Sequence, residues 1–339
     1  MTGKRGASLE VVPAGSGADA IVRALAGAGA RLMFGMPGGG ANLDVVGAAA
    51  TAGLRFILAR GETAAVIMAA TCADLTGTPG AVVVTRGPGL ASAVNGIAHA
   101  ALDRLPVVVI ADTVADADTG RISHQRIDQA TLGRSVAKAA MTVGGPRADE
   151  VAARIVRVAR AAPPGPVIAN MDESVRDRPG GRLPDHSVPG HGGRLAAPAV
   201  TASAQALSDA LRAARRPVLL LGTGAIPHTA SVRGALVGRG LPALHTYRAR
   251  GIIPDSAAEA AGLVTGGTME WPLLSAADLI IGLGVDEAEM IPAPWDYPAR
   301  TILVTEPGTV PAGAVPAGAV PGGTVAGGAA TGGWPRSRW

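Results

Sequence analysis

Short apolar runs alternate with Ala-rich stretches of helical period along the first 170 or so residues. Residues 18–28 have the helical pattern and end in glycines, and Leu32-Met33-Phe34 is a short apolar run that stops at Gly35. Helix is predicted next over 41–50, 63–75, 91–102 and 148–161, with strands over 54–58, 81–85, 107–111 and 167–169. These strands show no alternation of apolar and polar residues. Unbroken apolar strands between helices are buried on both faces, so the pattern predicts an α/β fold with a parallel sheet between helical layers.

The rhythm breaks over 172–200, where Arg, Pro and Gly dominate from Arg176 to Arg194, as in a surface linker. A second α/β run comes next. Helix is predicted over 202–214, 232–238 and 273–277, and strand over 218–221, 243–246, 279–283 and 301–304, which is Rossmann-like in rhythm. The end is different again: Val310-Pro311-Ala312-Gly313-Ala314 is succeeded by approximate copies starting at Val315, Val320 and Val325. A Pro/Gly pentad has no period of 2 or 3.6 and cannot offset the entropy of ordering. The expected organisation is a flexible N-terminus (1–17), an α/β domain (18–175), a linker (176–200), a Rossmann-like domain (201–306) and a disordered tail (307–339). The tail also reads like GC-rich DNA translated out of frame, an expectation that resequencing the 3′ end of the gene checks.

Composition narrows the function classes. The 339 residues are 48% hydrophobic and 17% charged, which suits two packed domains and excludes a disordered chain. Aromatics are only 2%, too few for stacking platforms that hold bases. The net charge of +4 is mild, and no block of like charge concentrates it, so no nucleic-acid partner is expected. A single cysteine, Cys72, excludes an internal disulfide and suits a reducing cytoplasm. No apolar run approaches the ~18 residues of a membrane span, and Glu10 interrupts the stretch after Lys4 and Arg5, so neither a membrane segment nor a signal peptide is expected.

Three glycine-bearing turns come after predicted strands: Gly35-Met36-Pro37-Gly38-Gly39-Gly40, Arg60-Gly61-Glu62-Thr63 and Thr85-Arg86-Gly87-Pro88-Gly89. Ligands of open α/β sheets gather at such strand ends, and glycine lets the backbone approach a flat ligand. The plain alternative is three ordinary βα loops. Glu62 opens a helix whose next residues are Ala64, Ala65, Val66, Ile67 and Met68. It is either a carboxylate placed for the helix dipole, worth ~0.3–1 kcal/mol, or a carboxyl group in an apolar cleft that shares a proton with a ligand. The other histidines (His99, His186, His191, His228 and His245) have no metal-ligand spacing and read as structural or solvated.

The ordered set of motifs resembles the thiamine pyrophosphate-dependent enzyme family, and its acetolactate synthase group most closely. Glu62 before an Ala-rich helix, Thr76-Gly77-Thr78-Pro79-Gly80, Thr85-Arg86-Gly87-Pro88-Gly89 and Asp103-Arg104-Leu105-Pro106 succeed one another as in that group's pyrimidine-binding domain. Gly35-Met36-Pro37-Gly38-Gly39 is similar to its GxPGG loop, His124-Gln125-Arg126-Ile127-Asp128 to its F-Q-E-x-D segment, and Ser135-Val136-Ala137-Lys138 to its P-V-T-K. Arg216-Pro217-Val218 with Gly222-Thr223-Gly224, and Ala277-Asp278-Leu279-Ile280 with Gly282-Leu283-Gly284, resemble its middle domain. The chain departs from the pattern at Arg60-Gly61, where relatives often have His. It departs again at Ser92, where Asn is usual, at His124 in place of an aromatic, and at Arg126 in place of an acid.

The resemblance implies two domains with parallel sheets flanked by helices, a pyrimidine domain and a Rossmann-like middle domain. It also implies roles. Glu62 matches the glutamate that bonds the aminopyrimidine ring nitrogen of the cofactor, which activates the thiazolium carbon toward a 2-oxo acid. Gly38, Gly39, Thr85, Pro88 and Ser92 match cofactor-binding positions, and Gln125 matches a glutamine near the reacting carbon, against the alternative of a surface amide. The family's Gly-Asp-Gly diphosphate and Mg2+ signature is not found in the chain. The implied site is therefore half a site: thiamine pyrophosphate shared with a partner chain, Mg2+ held only through that partner, and a homodimer or a heteromer with a diphosphate-binding chain. A non-catalytic nucleotide-binding or assembly module and a truncated remnant are the alternatives. FAD or ADP on the middle domain rests on Gly222-Thr223-Gly224, a weak signal because Pro227 stands where GxGxxG needs its third glycine.

Overall fold

The computed structural model describes residues 16–114, 122–171, 204–264, 268–289 and 295–304. The chain divides into two compact units, Met1–His191 and Gly192–Trp339. The expectations for the N-terminus, the linker and the tail fall wholly or mostly outside the described residues.

Among the described residues the first unit holds six parallel strands: β1 (Leu32–Met36), β2 (Arg55–Leu58), β3 (Gly80–Val84), β4 (Val107–Asp112), β5 (Ala139–Val143) and β6 (Val167–Met171). Their order is β2-β1-β3-β4-β6-β5. Alternate residues feed two cores. Met33, Ala81, Val83, Val108 and Ile110 face α1 (Gly17–Gly27), α2 (Ala41–Thr51) and α6 (Ala148–Arg160). Phe34, Val82, Val84, Val109 and Ile168 face α3 (Glu62–Thr76), α4 (Pro88–Leu102) and α5 (Gln129–Val136). Both faces of β3, β4 and β6 are buried, which is why their sequences are apolar without alternation. Burying each large aliphatic side chain contributes ~1.5–3 kcal/mol. Helices α3 and α4 touch at Gly96, where a Cβ would lie 2.7 Å from Val66 Cβ and 2.8 Å from the Thr63 carbonyl oxygen.

Three elements differ from the expectation. β1 runs through Gly35 because a Cβ there would lie 2.2 Å from the Val83 carbonyl oxygen of the adjoining strand; the residue that reads as a stop is one the sheet requires. α5 is capped by Asp128, whose carboxylate accepts from the Thr131 amide at 2.8 Å. The Thr131 hydroxyl and that amide bond hold the carboxyl below the ordinary carboxylate value. β5 is an edge strand of sequence AAMTV, in which the opening alanines and Thr142 leave no unbroken apolar run to announce it.

The second unit is a parallel sheet of order β11-β10-β7-β8-β9. Its strands are β7 (Pro217–Leu221), β8 (Ala243–His245), β9 (Ala260–Leu263), β10 (Leu279–Leu283) and β11 (Arg300–Val304). Leu219, Leu221, Ile281 and Leu283 share one core with Leu207 and Leu211 of α7 (Ala204–Ala213) and Val232 and Leu236 of α8 (Thr229–Leu236). Val218, Leu220 and Ile280 share the other with Leu274 of α9 (Trp271–Ala276). β9, of sequence AAGL, is the edge strand that the apolar pattern does not reveal.

His245 ends β8 as a buried neutral ring. Its Nε2 accepts from the Ile253 amide at 3.3 Å, and burial holds its pKa below the ordinary 6.5. A depressed histidine means that the unfolded chain takes up the proton first. The second unit is therefore expected to lose stability as pH falls through about 6.5 and to level off once the folded ring protonates. The first unit has no tryptophan, whereas the second contains Trp271 and Trp295, so a tryptophan-fluorescence transition reports unfolding of the second unit. A denaturation midpoint that did not move between about pH 7.5 and 5.5, or that moved equally in His245→Gln, would contradict this.

Candidate active site

The strand order of the first sheet reverses between β1 and β3, the position at which parallel sheets open a crevice at their carboxyl ends. Two of the glycine-bearing turns emerge there, and the other leaves the neighbouring strand β2. Residues 37–40 leave β1 and lead into α2, residues 59–61 lead from β2 into α3, and residues 85–87 lead from β3 into α4. The register pairs Met36 with Val84, so the first and third turns leave adjacent strands at one level.

Glycine at 38, 87 and 89 is a steric requirement. A Cβ on Gly38 would lie 2.5 Å from Thr85 Oγ1, so the first turn rests directly on the third. Gly87 has φ +62°, and a Cβ there would lie 2.0 Å from the Gln125 carbonyl oxygen. A Cβ on Gly89 would lie 2.6 Å from Thr85 Cγ2 and 3.4 Å from Glu62 Oε1. Glu62, Thr85, Gly38 and the backbone of Gly87 and Gly89 thus converge. Glu62 is half-buried in the first turn of α3 and makes no ion pair among the described residues. Its neighbour Thr63 donates from Oγ1 to the Ser92 carbonyl at 2.5 Å, tying the start of α3 to α4.

The remaining candidates are placed less centrally. Gln125 comes to the site by its backbone, with φ +55°, packed against Gly87. Pro88 and Ser92 are exposed, Pro88 as the first residue of α4. Gly39 is exposed and would meet nothing within 4 Å if it carried a Cβ. Arg126 and His124 are exposed.

Beneath the turns lies a polar network that sequence reasoning missed. Asp112, buried at the end of β4, accepts from the Arg86 amide at 2.8 Å and from Asn42 Nδ2 at 2.5 Å, and its other oxygen pairs with Arg86 Nη1 at 3.2 Å. Gln129 accepts from the Gly87 amide at 2.9 Å and donates to the Asp112 carbonyl at 3.2 Å and to Asn170 Oδ1 at 2.9 Å. One signal could have found it: Asp112 and Asn170 are polar residues inside strands otherwise written in apolar letters.

Residues 15–132 match the model of the thiamine pyrophosphate enzyme N-terminal TPP-binding domain, and residues 204–306 match that of the same enzymes' central domain. The chain belongs to the thiamine pyrophosphate enzyme family. It is 32% identical over 279 residues to the acetolactate synthase isozyme 3 large subunit of Escherichia coli, covering 80% of this chain and 48% of that one. Similarity to the catabolic acetolactate synthase of Raoultella terrigena is 32% over 296 residues, covering 85% and 52% of the two chains. A probable 2-ketoarginine decarboxylase of Pseudomonas aeruginosa is 28% identical over 283 residues, covering 80% and 49%. The chain therefore spans about half the length of the relatives it matches. Within this member of the thiamine pyrophosphate enzyme family, the crevice between β1 and β3 belongs to the matched N-terminal segment. No helix among the described residues is long and apolar enough to cross a membrane.

Proposed function

We propose that the first unit supplies the pyrimidine side of a thiamine pyrophosphate site acting on a 2-oxo acid. The observation that carries this reading is the convergence of Glu62, Thr85 and the close-packed Gly38 and Gly89 at the mouth of the first sheet. A flat ring fits against backbone that no Cβ obstructs, and the residues present therefore suit the cofactor. When bound, thiamine pyrophosphate supplies a carbon nucleophile and an electron sink for decarboxylation and carboligation. The chain's own part is to hold and move a proton. The Glu62 carboxyl group exchanges one with the pyrimidine ring nitrogen, Thr85 and Gly38 fix the ring's edge, and α3 and α4 exclude water behind it.

The diphosphate and its Mg2+ belong, on this reading, to a partner domain. Among the described residues no group of three or more His, Cys, Asp or Glu could hold a metal ion. The domain limits 18–175 and 201–306, a homodimeric or heteromeric assembly and a cytoplasmic location are part of the same proposal. The departures at Arg60, Ser92, His124 and Arg126 point to a 2-oxo acid other than that of the acetolactate synthases. Isothermal titration of the chain with thiamine pyrophosphate and Mg2+ tests the reading. Saturable binding is expected only once a diphosphate-domain polypeptide is added, and micromolar binding by the chain alone would overturn the shared site.

A further inference from the structure

Gly222-Thr223-Gly224 comes directly after β7, where the strand order of the second sheet reverses. A dinucleotide entering such a crevice places its phosphates on free backbone N–H groups. Here those groups are already engaged by the chain itself. The Glu289 carboxylate accepts from the Thr223 amide at 3.0 Å, from Thr246 Oγ1 at 2.5 Å and from the Asp286 amide at 3.1 Å. Thr223, Thr246 and Asp286 lie just past β7, β8 and β10, so one carboxylate ties three neighbouring strand ends.

The glycines are occupied too. The Gly224 amide donates to the Gly284 carbonyl at 2.9 Å, and the Gly222 amide to the Leu283 carbonyl at 3.0 Å. A Cβ on Gly222 would lie 2.4 Å from the Gly284 carbonyl oxygen, and one on Gly224 2.9 Å from Gly284 Cα. In a nucleotide-binding turn, glycine makes room for a pyrophosphate; here it makes room for the neighbouring turn.

We infer that Glu289 takes the place of a nucleotide phosphate, so that the second unit holds neither FAD nor ADP at this crevice and closes it with its own anion. The residues do not fit the dinucleotide that the middle-domain resemblance implies. A nucleotide would have to displace a carboxylate bonded to three donors and separate two interlocked turns.

Tryptophan fluorescence of the full chain tests this, since it reads the second unit. Neither ADP nor FAD is expected to raise the unfolding midpoint of the wild-type chain saturably, whereas a bound ligand adds stability that grows with its concentration. Glu289→Gln presents an NH2 group to donors that need an acceptor, and its midpoint is expected to fall by about 4–8 °C or more, the shift of a loss of ~1 kcal/mol in a domain of this size. Thr246→Val removes one bond, keeps the carboxylate and is expected to fall less, which covers the case of a Glu289→Gln chain that does not fold. Saturable binding of either nucleotide by the wild-type chain overturns the inference. So does a Glu289→Gln midpoint equal to that of the wild type.

Discussion

Asp112→Ala is expected to destabilise the first unit more than any other single truncation at the site. The carboxylate it removes accepts the Arg86 amide and Asn42 Nδ2 and pairs with the Arg86 guanidinium. Arg86 Nε and Asn42 Oδ1 already lack partners in the intact network, and the other bond of Asn42 Nδ2, to the Gly39 carbonyl, is long at 3.4 Å, so little is left to compensate. Breaking a buried pair by removing one member costs ~3–5 kcal/mol, because the other charge stays behind. The Arg86 side chain keeps 28% of its exposure, which places the expected loss near the lower end of that range. Because the first unit has no tryptophan, far-UV circular dichroism in urea is the measurement, read as a lower midpoint at unchanged slope. Asp112→Asn keeps the shape and removes the charge, and is expected to fall between wild type and Asp112→Ala. A loss below ~1 kcal/mol in Asp112→Ala, the net value of one ordinary hydrogen bond, would show that the network does not hold the turns.

That network also marks the limit of what the sequence reveals. The turns at Gly38, Glu62 and Thr85 are legible because each is local: a strand stops, glycine and proline set the bend, and a helix begins within a few residues. Asp112 reaches 26 residues back to the Arg86 amide and 70 back to Asn42, and Gln129 reaches 42 back to Gly87 and 41 forward to Asn170. Contacts at such separations depend on the strand order β2-β1-β3-β4-β6-β5, which no local pattern contains. Gln125 is a mixed case. Its motif is legible in the sequence, but its positive φ and backbone packing against Gly87 are properties of the folded loop. The edge strands β5 and β9 escaped because neither carries an unbroken apolar run: AAMTV is interrupted by Thr142, and AAGL is mostly alanine and glycine, which bury little apolar surface.

Glu62→Gln is expected to abolish proton exchange at the site while leaving the fold intact. The substitution keeps length and shape in the first turn of α3, where the N-cap Gly61 offers no side-chain bond that the change could disturb. Loss of the carboxylate near the helix N-terminus costs only ~0.3–1 kcal/mol through the dipole. On the proposed reading the catalytic loss is much larger, since removing a positioned general acid–base lowers the rate by ~10²–10⁴-fold. The two magnitudes separate the two roles open to this residue. If Glu62 merely favours the dipole, Glu62→Gln assembled with a diphosphate-domain polypeptide should turn over a 2-oxo acid at nearly the wild-type rate, with a slightly lower unfolding midpoint. If it shares a proton with the pyrimidine, kcat falls by the larger factor with the same small drop in midpoint. Glu62→Asp adds a third point. It retains the carboxyl group but shortens it by one methylene, drawing it back from the space beside Gly89 into which Glu62 Oε1 reaches. Its rate should therefore sit between those of Gln and wild type, and an Asp variant no better than Gln would mean that reach, as much as charge, sets the transfer.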